Sequence, residues 1–138
     1  MFKPADLTFY IIYNSYYKHG SYQNDMPAFT VFFIFAIAFF CQLFFLRVVF
    51  RIIDNPYHRT LGMSRMEIYA LSLLSALIIY FLDYYKKRNL LIYEGYKNNL
   101  FANSSLGKFV GWAFMGLSIL SPFIFLLIRN KIYFGHWV

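Results

Sequence analysis

The sequence predicts an all-α integral membrane protein with three transmembrane helices and a short amphipathic N-terminal interfacial helix. Of the 138 residues, 60% are hydrophobic and only 14% are charged, against about 25% charged in ordinary soluble domains. A soluble protein of this length has too much surface for its volume to bury so many apolar side chains. Three runs, 28–46, 68–82 and 109–128, contain no charged residue. We therefore expect a single membrane domain over residues 1–138.

Residues 7–18 predict a short helix, too short to cross a bilayer. At 100° per residue, one broad face of this helix is aromatic and includes Tyr13, Tyr16 and Tyr17. A tyrosine-rich face suits the headgroup level of a membrane. The same face is equally suited to packing against the other helices of the protein, and both placements stay open.

The first span is expected over residues 27–50. Proline at position 27 is favoured in the first turn of a helix, and the residue before Pro56 is disfavoured in helical geometry, which predicts a stop there. Residues 36–38 imitate a signal-peptidase site, but the apolar run continues after them. We therefore expect an anchor that is not cleaved.

The second span is expected over residues 65–85. Ser64 and Glu67 have the spacing of a capping box, which begins a helix. The uncharged stretch is only 68–82, so the length alone is ambiguous. An aromatic belt followed by cations indicates a membrane interface. The residues in that order are Tyr84, Tyr85, Lys86, Lys87 and Arg88.

The third span is expected over residues 108–128, with Trp112 and Trp137 as interface anchors near its ends. Pro122 lies inside it and has no N–H to donate. The carbonyl of Ser118 therefore loses its helical partner, which predicts a kink. Membrane helices tolerate such a proline when a hydroxyl or a neighbouring helix satisfies the carbonyl.

A stripe of small residues predicts where the third span packs. Small residues matter in lipid because helix association depends on close backbone approach and on hydroxyl hydrogen bonds. The stripe contains Gly107, Gly111, Ser118 and Ser121. Two partners are open: Ser72 and Ala76 of the second span, or another protein chain.

The layout of aromatic and basic segments resembles a known group of proteins. Residues 9–13 and 16–18 open the chain with aromatic side chains and a lysine, and 84–88, 92–93 and 96–98 repeat this pattern before the last span. This layout resembles that of small three-span bacterial membrane proteins of uncharacterised function. The resemblance covers most of the chain and implies the bacterial cytoplasmic membrane as its location. It brings no activity with it.

Few residues point to chemistry. His19, His58 and His136 lie outside the spans, where they cannot ligate a haem at membrane depth. The single cysteine, Cys41, and the scattered acidic residues do not form a zinc pattern. The polar run at 54–59 can be a solvated turn or an acid–base group acting on lipid, and we favour the turn. We expect no catalytic residue, no metal and no cofactor.

The net charge of +7 comes from clusters that flank the apolar runs. Such flanks are typical of membrane spans, whereas nucleic-acid binding needs a continuous basic face. The arginines that follow the first span favour a cytoplasmic C-terminus. The three uncharged runs lack the ionisable residues that transport pathways need.

We therefore expect a small, non-enzymatic membrane component. It would be an accessory or assembly subunit that acts through helix–helix contacts. The alternative is a self-associating pore or membrane-perturbing effector. The expected partners are the lipid bilayer and either another membrane protein or copies of the chain itself, with no nucleic acid.

Overall fold

Helices make up nearly all of the computed structural model, which describes residues 4–17, 27–55, 57 and 62–135. No strand occurs in these ranges, so the predicted all-α class is confirmed. Three helical stretches are long and apolar enough to cross a membrane: Ala28–Asp54, Arg65–Tyr96 and Ser105–Phe134. In chain order the helices are α1 (Pro4–Tyr17), α2 (Pro27–Asp54), α3 (Arg65–Ile79), α4 (Arg88–Tyr96), α5 (Leu100–Asn103) and α6 (Ser105–Phe134).

The two longest helices exceed the expected spans 27–50 and 108–128. Helix α2 has 28 residues and α6 has 30, which gives lengths of about 42 and 45 Å at 1.5 Å per residue. A hydrocarbon layer is about 30 Å thick. Both helices are therefore longer than a hydrocarbon layer is thick, and to span one they would extend beyond it or tilt within it.

The second membrane helix begins at the predicted capping box. The Ser64 side chain accepts a hydrogen bond from the Glu67 backbone, and the Glu67 carboxylate accepts one from the Ser64 backbone at 2.7 Å. After α3 the chain continues as a π-helical segment, Tyr80–Tyr84. It then turns sharply at Lys86 and Lys87, whose φ angles are 55° and 58°. Residues with a β-carbon rarely adopt this left-handed conformation. Because it cannot continue a right-handed helix, the helix that began at Arg65 ends here.

Helix α1 lies inside the bundle, in contact with α6, α4, α2 and α5. Every side chain from Leu7 to Tyr13 is buried, and Phe9 and Ile12 have no exposed surface. The largest buried cluster is therefore centred on α1 rather than on the three long helices. Of the two placements considered for this segment, the structure has the one against the protein's own helices. Lys18, at the end of the expected range 7–18, lies outside the described residues.

A cap of α1, α4 and α5 covers one end of the long helices. The Tyr10 hydroxyl donates a hydrogen bond to Asn103 Oδ1 at 2.8 Å, and the Tyr10 ring stacks on Tyr96. Burial raises the pKa of the Tyr10 phenol, although the hydrogen bond to Asn103 opposes the shift. The Ser104 side chain caps α6 by accepting from the Gly107 backbone. The cap thus fixes the start of α6 against α1.

Candidate functional site

The polar contact between α2 and α6 surrounds Pro122. Proline cannot donate to the carbonyl four residues earlier, and that carbonyl, of Ser118, accepts a hydrogen bond from Gln42 Nε2 of α2. The same Gln42 nitrogen donates to Ser121 Oγ at 3.0 Å. The Ser121 hydroxyl also donates to the Ser118 carbonyl, at 3.4 Å. The carbonyl that Pro122 leaves without a backbone donor is therefore satisfied by a neighbouring helix and by a hydroxyl of its own helix, and α6 continues through the proline to Phe134.

Gly107 and Gly111 pack within the chain, against the cap. A Cβ added to Gly107 would lie 2.0 Å from the backbone oxygen of Phe101, just before the α5–α6 turn. A Cβ added to Gly111 would lie 2.7 Å from Ile11 Cδ1 on α1. The glycine spacing thus lets α6 approach the α5 turn and α1, rather than α3.

Ser72 and Ala76 face α2 instead of the glycine stripe of α6. Together with Ala36 and Ser75 they line a groove of about 340 Å³ between α2 and α3. Aromatic and aliphatic side chains of α2 form its other wall: Phe32, Phe33, Ile37 and Phe40. The sequence left open a pairing of Ser72 and Ala76 with α6, whereas the structure places both residues beside α2. Helices α2 and α3 cross here through small residues and leave a concave surface.

The residues expected at the membrane interface fall into two groups. Tyr13 is only 7% exposed, because its ring packs against Phe9 and Tyr93 inside the protein. Tyr16 and Tyr84 are half-buried, and the Tyr84 hydroxyl donates to the Ala28 carbonyl at the start of α2.

The other residues of this set whose side chains the structure describes lie nearer the surface. Tyr85, Lys86, Lys87 and Trp112 are exposed. Arg88 is half-buried, and its Nη2 lies 3.0 Å from Asp6 Oδ1 of α1. The Tyr17 side chain and Trp137 lie outside the described residues.

An ion pair joins α2 to α3 at the end of the bundle opposite the cap. Arg47 Nη2 lies 2.9 Å from Glu67 Oε1 and 3.0 Å from Oε2, and Arg47 Nε also donates to Oε1 at 3.1 Å. Arg51 Nη2 lies 3.7 Å from the same carboxylate. Two-pronged contacts of this kind fix the geometry of an arginine–carboxylate pair.

Glu67 therefore has two separable roles, and two substitutions distinguish them. Glutamine can still close a capping box, so Glu67→Gln is expected to remove the charge pair with Arg47 and keep the capping box of α3. Glu67→Ala removes the charge pair and also the hydrogen bond from the Ser64 backbone to the side chain at position 67. It should therefore lower the melting temperature in detergent further than Glu67→Gln. Equal melting temperatures for the two variants would show that the side-chain hydrogen bond of position 67 in the capping box adds nothing to stability.

A second cavity, of about 260 Å³, lies where α1, α2, α6 and the end of the second membrane helix meet. Most of its wall is hydrocarbon. Asp83 of the π-helical segment lines it and is only 8% exposed. Gln42 and Ser118 also line it, so the cavity adjoins the polar contact beside Pro122.

The burial of Asp83 is the main feature that sequence reasoning missed. A charge that follows an uncharged stretch and precedes a cationic belt ordinarily marks a membrane interface, yet Asp83, in this position, is buried. A signal was present: Ser75, Ile79 and Asp83 recur every fourth residue, and all three are buried. Residues four apart share one face of a helix. Asp83 therefore continues the buried face of α3.

Among the residues that the structure describes, no group of three or more His, Cys, Asp or Glu side chains could hold a metal ion. In the polar run at 54–59, the Tyr57 backbone N–H donates to Asn55 Oδ1 at 3.1 Å. This local bond is typical of a turn begun by asparagine. Position 56, positions 58 and 59 of this run, and the other two histidines, lie outside the described ranges.

The three long apolar helices indicate an all-helical, multi-pass membrane protein. Comparison with family models, with curated proteins and with solved structures gives no match for the chain.

Proposed function

We propose that this protein is a small, non-enzymatic component of the bacterial cytoplasmic membrane, with its C-terminus in the cytoplasm. It acts as an accessory or assembly subunit by binding a transmembrane helix of another membrane protein. The observation that supports this proposal is the groove between α2 and α3, with Ala36, Ser72 and Ala76 in its wall.

The groove suits a helix better than it suits lipid. Apolar side chains gain nothing by leaving lipid, so helices associate in membranes where small residues allow close backbone approach. Ser72 is exposed on the groove, and its hydroxyl makes no hydrogen bond to any part of the chain that the structure describes. A hydroxyl left without a partner in hydrocarbon is costly. A partner helix offers both backbone contact and acceptors for this hydroxyl.

The shape of the groove favours a different protein over a second copy of this chain. In a two-fold symmetric dimer the same patch faces itself. Two concave grooves facing each other would enclose a void, and the atoms that line a void lack the packing contacts that hold helices together. A convex helix from another protein fills the groove instead.

A photocrosslinking experiment tests this proposal. Benzoylphenylalanine is placed at position 72 in the groove, or at position 70, where Ala70 is exposed on another face of the same helix. Membranes are washed with carbonate to remove peripheral proteins before irradiation and purification. We expect position 72, but not position 70, to yield one adduct with a different membrane protein. An adduct of twice the chain's own mass would instead favour self-association, and equal labelling from both positions would refute the groove as a docking surface.

A matched pair of substitutions supplies the control. Ala76→Leu fills the groove and should abolish the adduct from position 72, whereas Ala70→Leu adds the same side chain elsewhere on α3 and should leave it intact. Melting temperatures in detergent confirm that both variants fold. Depolarisation of cells on controlled expression, read with a membrane-potential dye, would support the pore or effector function in place of the accessory role.

A further inference from the structure

The cavity of about 260 Å³ has an unusual wall for a membrane protein: it is mostly hydrocarbon but includes one carboxylate. Phe35, Phe39 and Met115 contribute much of the apolar surface, and Asp83 contributes the charge. Ligand sites commonly combine an apolar wall with a few polar groups that fix orientation. A carboxylate in such a wall needs a positive charge or a hydrogen-bond donor to compensate its charge.

The protein itself offers Asp83 little compensation. Its carboxylate accepts no hydrogen bond from the residues at 4–17, 27–55, 57 or 62–135. Among the residues that the structure describes, the charges close enough to act on it are Arg88, which favours its negative charge, and Asp6, which opposes it. The Arg88 guanidinium already binds Asp6 at 3.0 Å. The three groups together therefore carry one net negative charge beside the cavity, which no other described residue compensates.

A buried, poorly compensated carboxylate is costly to keep, and ionisable residues inside membrane helices generally mark functional sites. Asp83 also lies in a π-helical segment, a distortion that is frequent at functional sites. The π-helical geometry, the burial of the Asp83 side chain and its poorly compensated charge thus all indicate a functional site at this position.

We propose that the cavity binds an amphiphile with a protonated primary amine, whose ammonium group pairs with Asp83 and whose first methylenes lie along the apolar wall. An ammonium supplies one positive charge and three N–H donors, which matches the single net negative charge. An anionic head would be repelled, and an alcohol would leave the charge uncompensated. The volume is below the range of about 300–1,000 Å³ typical of drug-sized sites, so only the head and the start of a chain fit.

Two sources can supply this chemistry: a single-chain amine or the ethanolamine headgroup of a phospholipid. Dodecylamine serves as the probe for the first, with 1-dodecanol as the matched uncharged probe. For the second, the protein is reconstituted in phosphatidylcholine nanodiscs with or without phosphatidylethanolamine, and the retained lipid is counted. Bound molecules are detected by native mass spectrometry of the full chain.

We expect wild-type protein to bind one dodecylamine saturably and to bind 1-dodecanol far more weakly. Asp83→Asn keeps the shape of the side chain and should weaken dodecylamine binding by about tenfold or more, because it removes one partner of a buried charge pair. Glu94→Gln changes an exposed carboxylate on α4 and should leave binding unchanged, which excludes a general charge effect.

A second variant guards against poor folding of Asp83→Asn. Ala5 is exposed yet lines the cavity, so Ala5→Leu should block the cavity from its surface side with little effect on the core. Binding to Ala5→Leu or Asp83→Asn at wild-type strength would overturn the proposal, as would equal binding of 1-dodecanol. Asp83-dependent retention of phosphatidylethanolamine would identify the lipid as the source. Dodecylamine binding without such retention would identify a single-chain amine.

Discussion

Gly107→Ala is expected to destabilise the folded chain by at least about 2 kcal/mol, the upper part of the range for overpacking. The added Cβ would lie 2.0 Å from the Phe101 oxygen and 2.9 Å from its carbonyl carbon. Both atoms belong to the backbone, so no change of rotamer relieves the clash. The measurement is the free energy of unfolding in mixed micelles, from a denaturing-detergent titration.

Gly116→Ala is the matched control, because it makes the same change on the same helix. An added Cβ at position 116 meets nothing within 4 Å. Removing a glycine from a helix interior gains up to about 1 kcal/mol, so this variant should be as stable as the wild type or more stable. Equal losses at positions 107 and 116 would mean that α6 does not pack closely on the α5 turn.

Gly111 is intermediate, because the nearest atoms belong to the side chain of Ile11. Its Cδ1 would lie 2.7 Å and its Cγ2 3.1 Å from the added Cβ. A side chain can shift partly, so Gly111→Ala should cost less than Gly107→Ala, and Gly111→Leu should cost more than Gly111→Ala. Combining Gly111→Leu with Ile11→Ala should cost less than the sum of the single changes, since residues in contact are not additive. Strict additivity would contradict the α1–α6 contact.

The sequence predicted those parts of the fold that depend on local chemistry. The uncharged runs determine which segments form long apolar helices. Ser64 and Glu67 satisfy each other's backbone within one turn, so the start of α3 could be predicted from four consecutive residues. These signals do not depend on how the chain returns on itself.

The neighbours of each helix could not be predicted in the same way. The aromatic face of α1 suits lipid headgroups and a protein interior equally well, because tyrosine is amphipathic and finds partners in both. The spacing of Gly107 and Gly111 indicates that a backbone can approach closely, but it does not identify that backbone. The answer depends on the cap, which returns the chain from α4 through α5 to the start of α6.

The polar residues of the candidate site illustrate the same limit. Pro122 predicted that the Ser118 carbonyl needs a partner, and Gln42 was the one carboxamide in the uncharged runs. The hydrogen bond between them follows from the α2–α6 contact, which no local pattern specifies. Asp83 was harder to place, because a charge after an apolar run ordinarily marks the membrane surface. Only its spacing of four residues from Ile79 and eight from Ser75 indicated that it lies on the same face of the helix as these two buried residues.

Gln42→Leu is expected to destabilise the chain by about 1–2 kcal/mol. Hydrogen bonds between membrane helices contribute about 0.6 kcal/mol on average and about 1.7 kcal/mol at most, and Gln42 donates to both the Ser118 carbonyl and Ser121 Oγ. Leucine also leaves that carbonyl with only the long hydrogen bond from the Ser121 hydroxyl, at 3.4 Å, because Pro122 has no N–H to donate. The free energy of unfolding in mixed micelles measures the loss. Ser121→Ala removes one acceptor of Gln42 and the long hydrogen bond, of 3.4 Å, that the Ser121 hydroxyl donates to the Ser118 carbonyl. Because the Gln42 hydrogen bond to that carbonyl remains, Ser121→Ala should cost less than Gln42→Leu.

A double-mutant cycle with Pro122→Ala tests the cause. Alanine restores an N–H that can donate to the Ser118 carbonyl, so Gln42→Leu should cost about 1 kcal/mol less in the Pro122→Ala background than in the wild type. Pro122 is fully buried, so Pro122→Ala alone also loses packing, and the cycle subtracts that loss. The same cost in both backgrounds would mean that Gln42 stabilises α2 against α6 by packing alone. A smaller cost in the alanine background would show that the amide of α2 replaces the helical hydrogen bond that proline removes from α6.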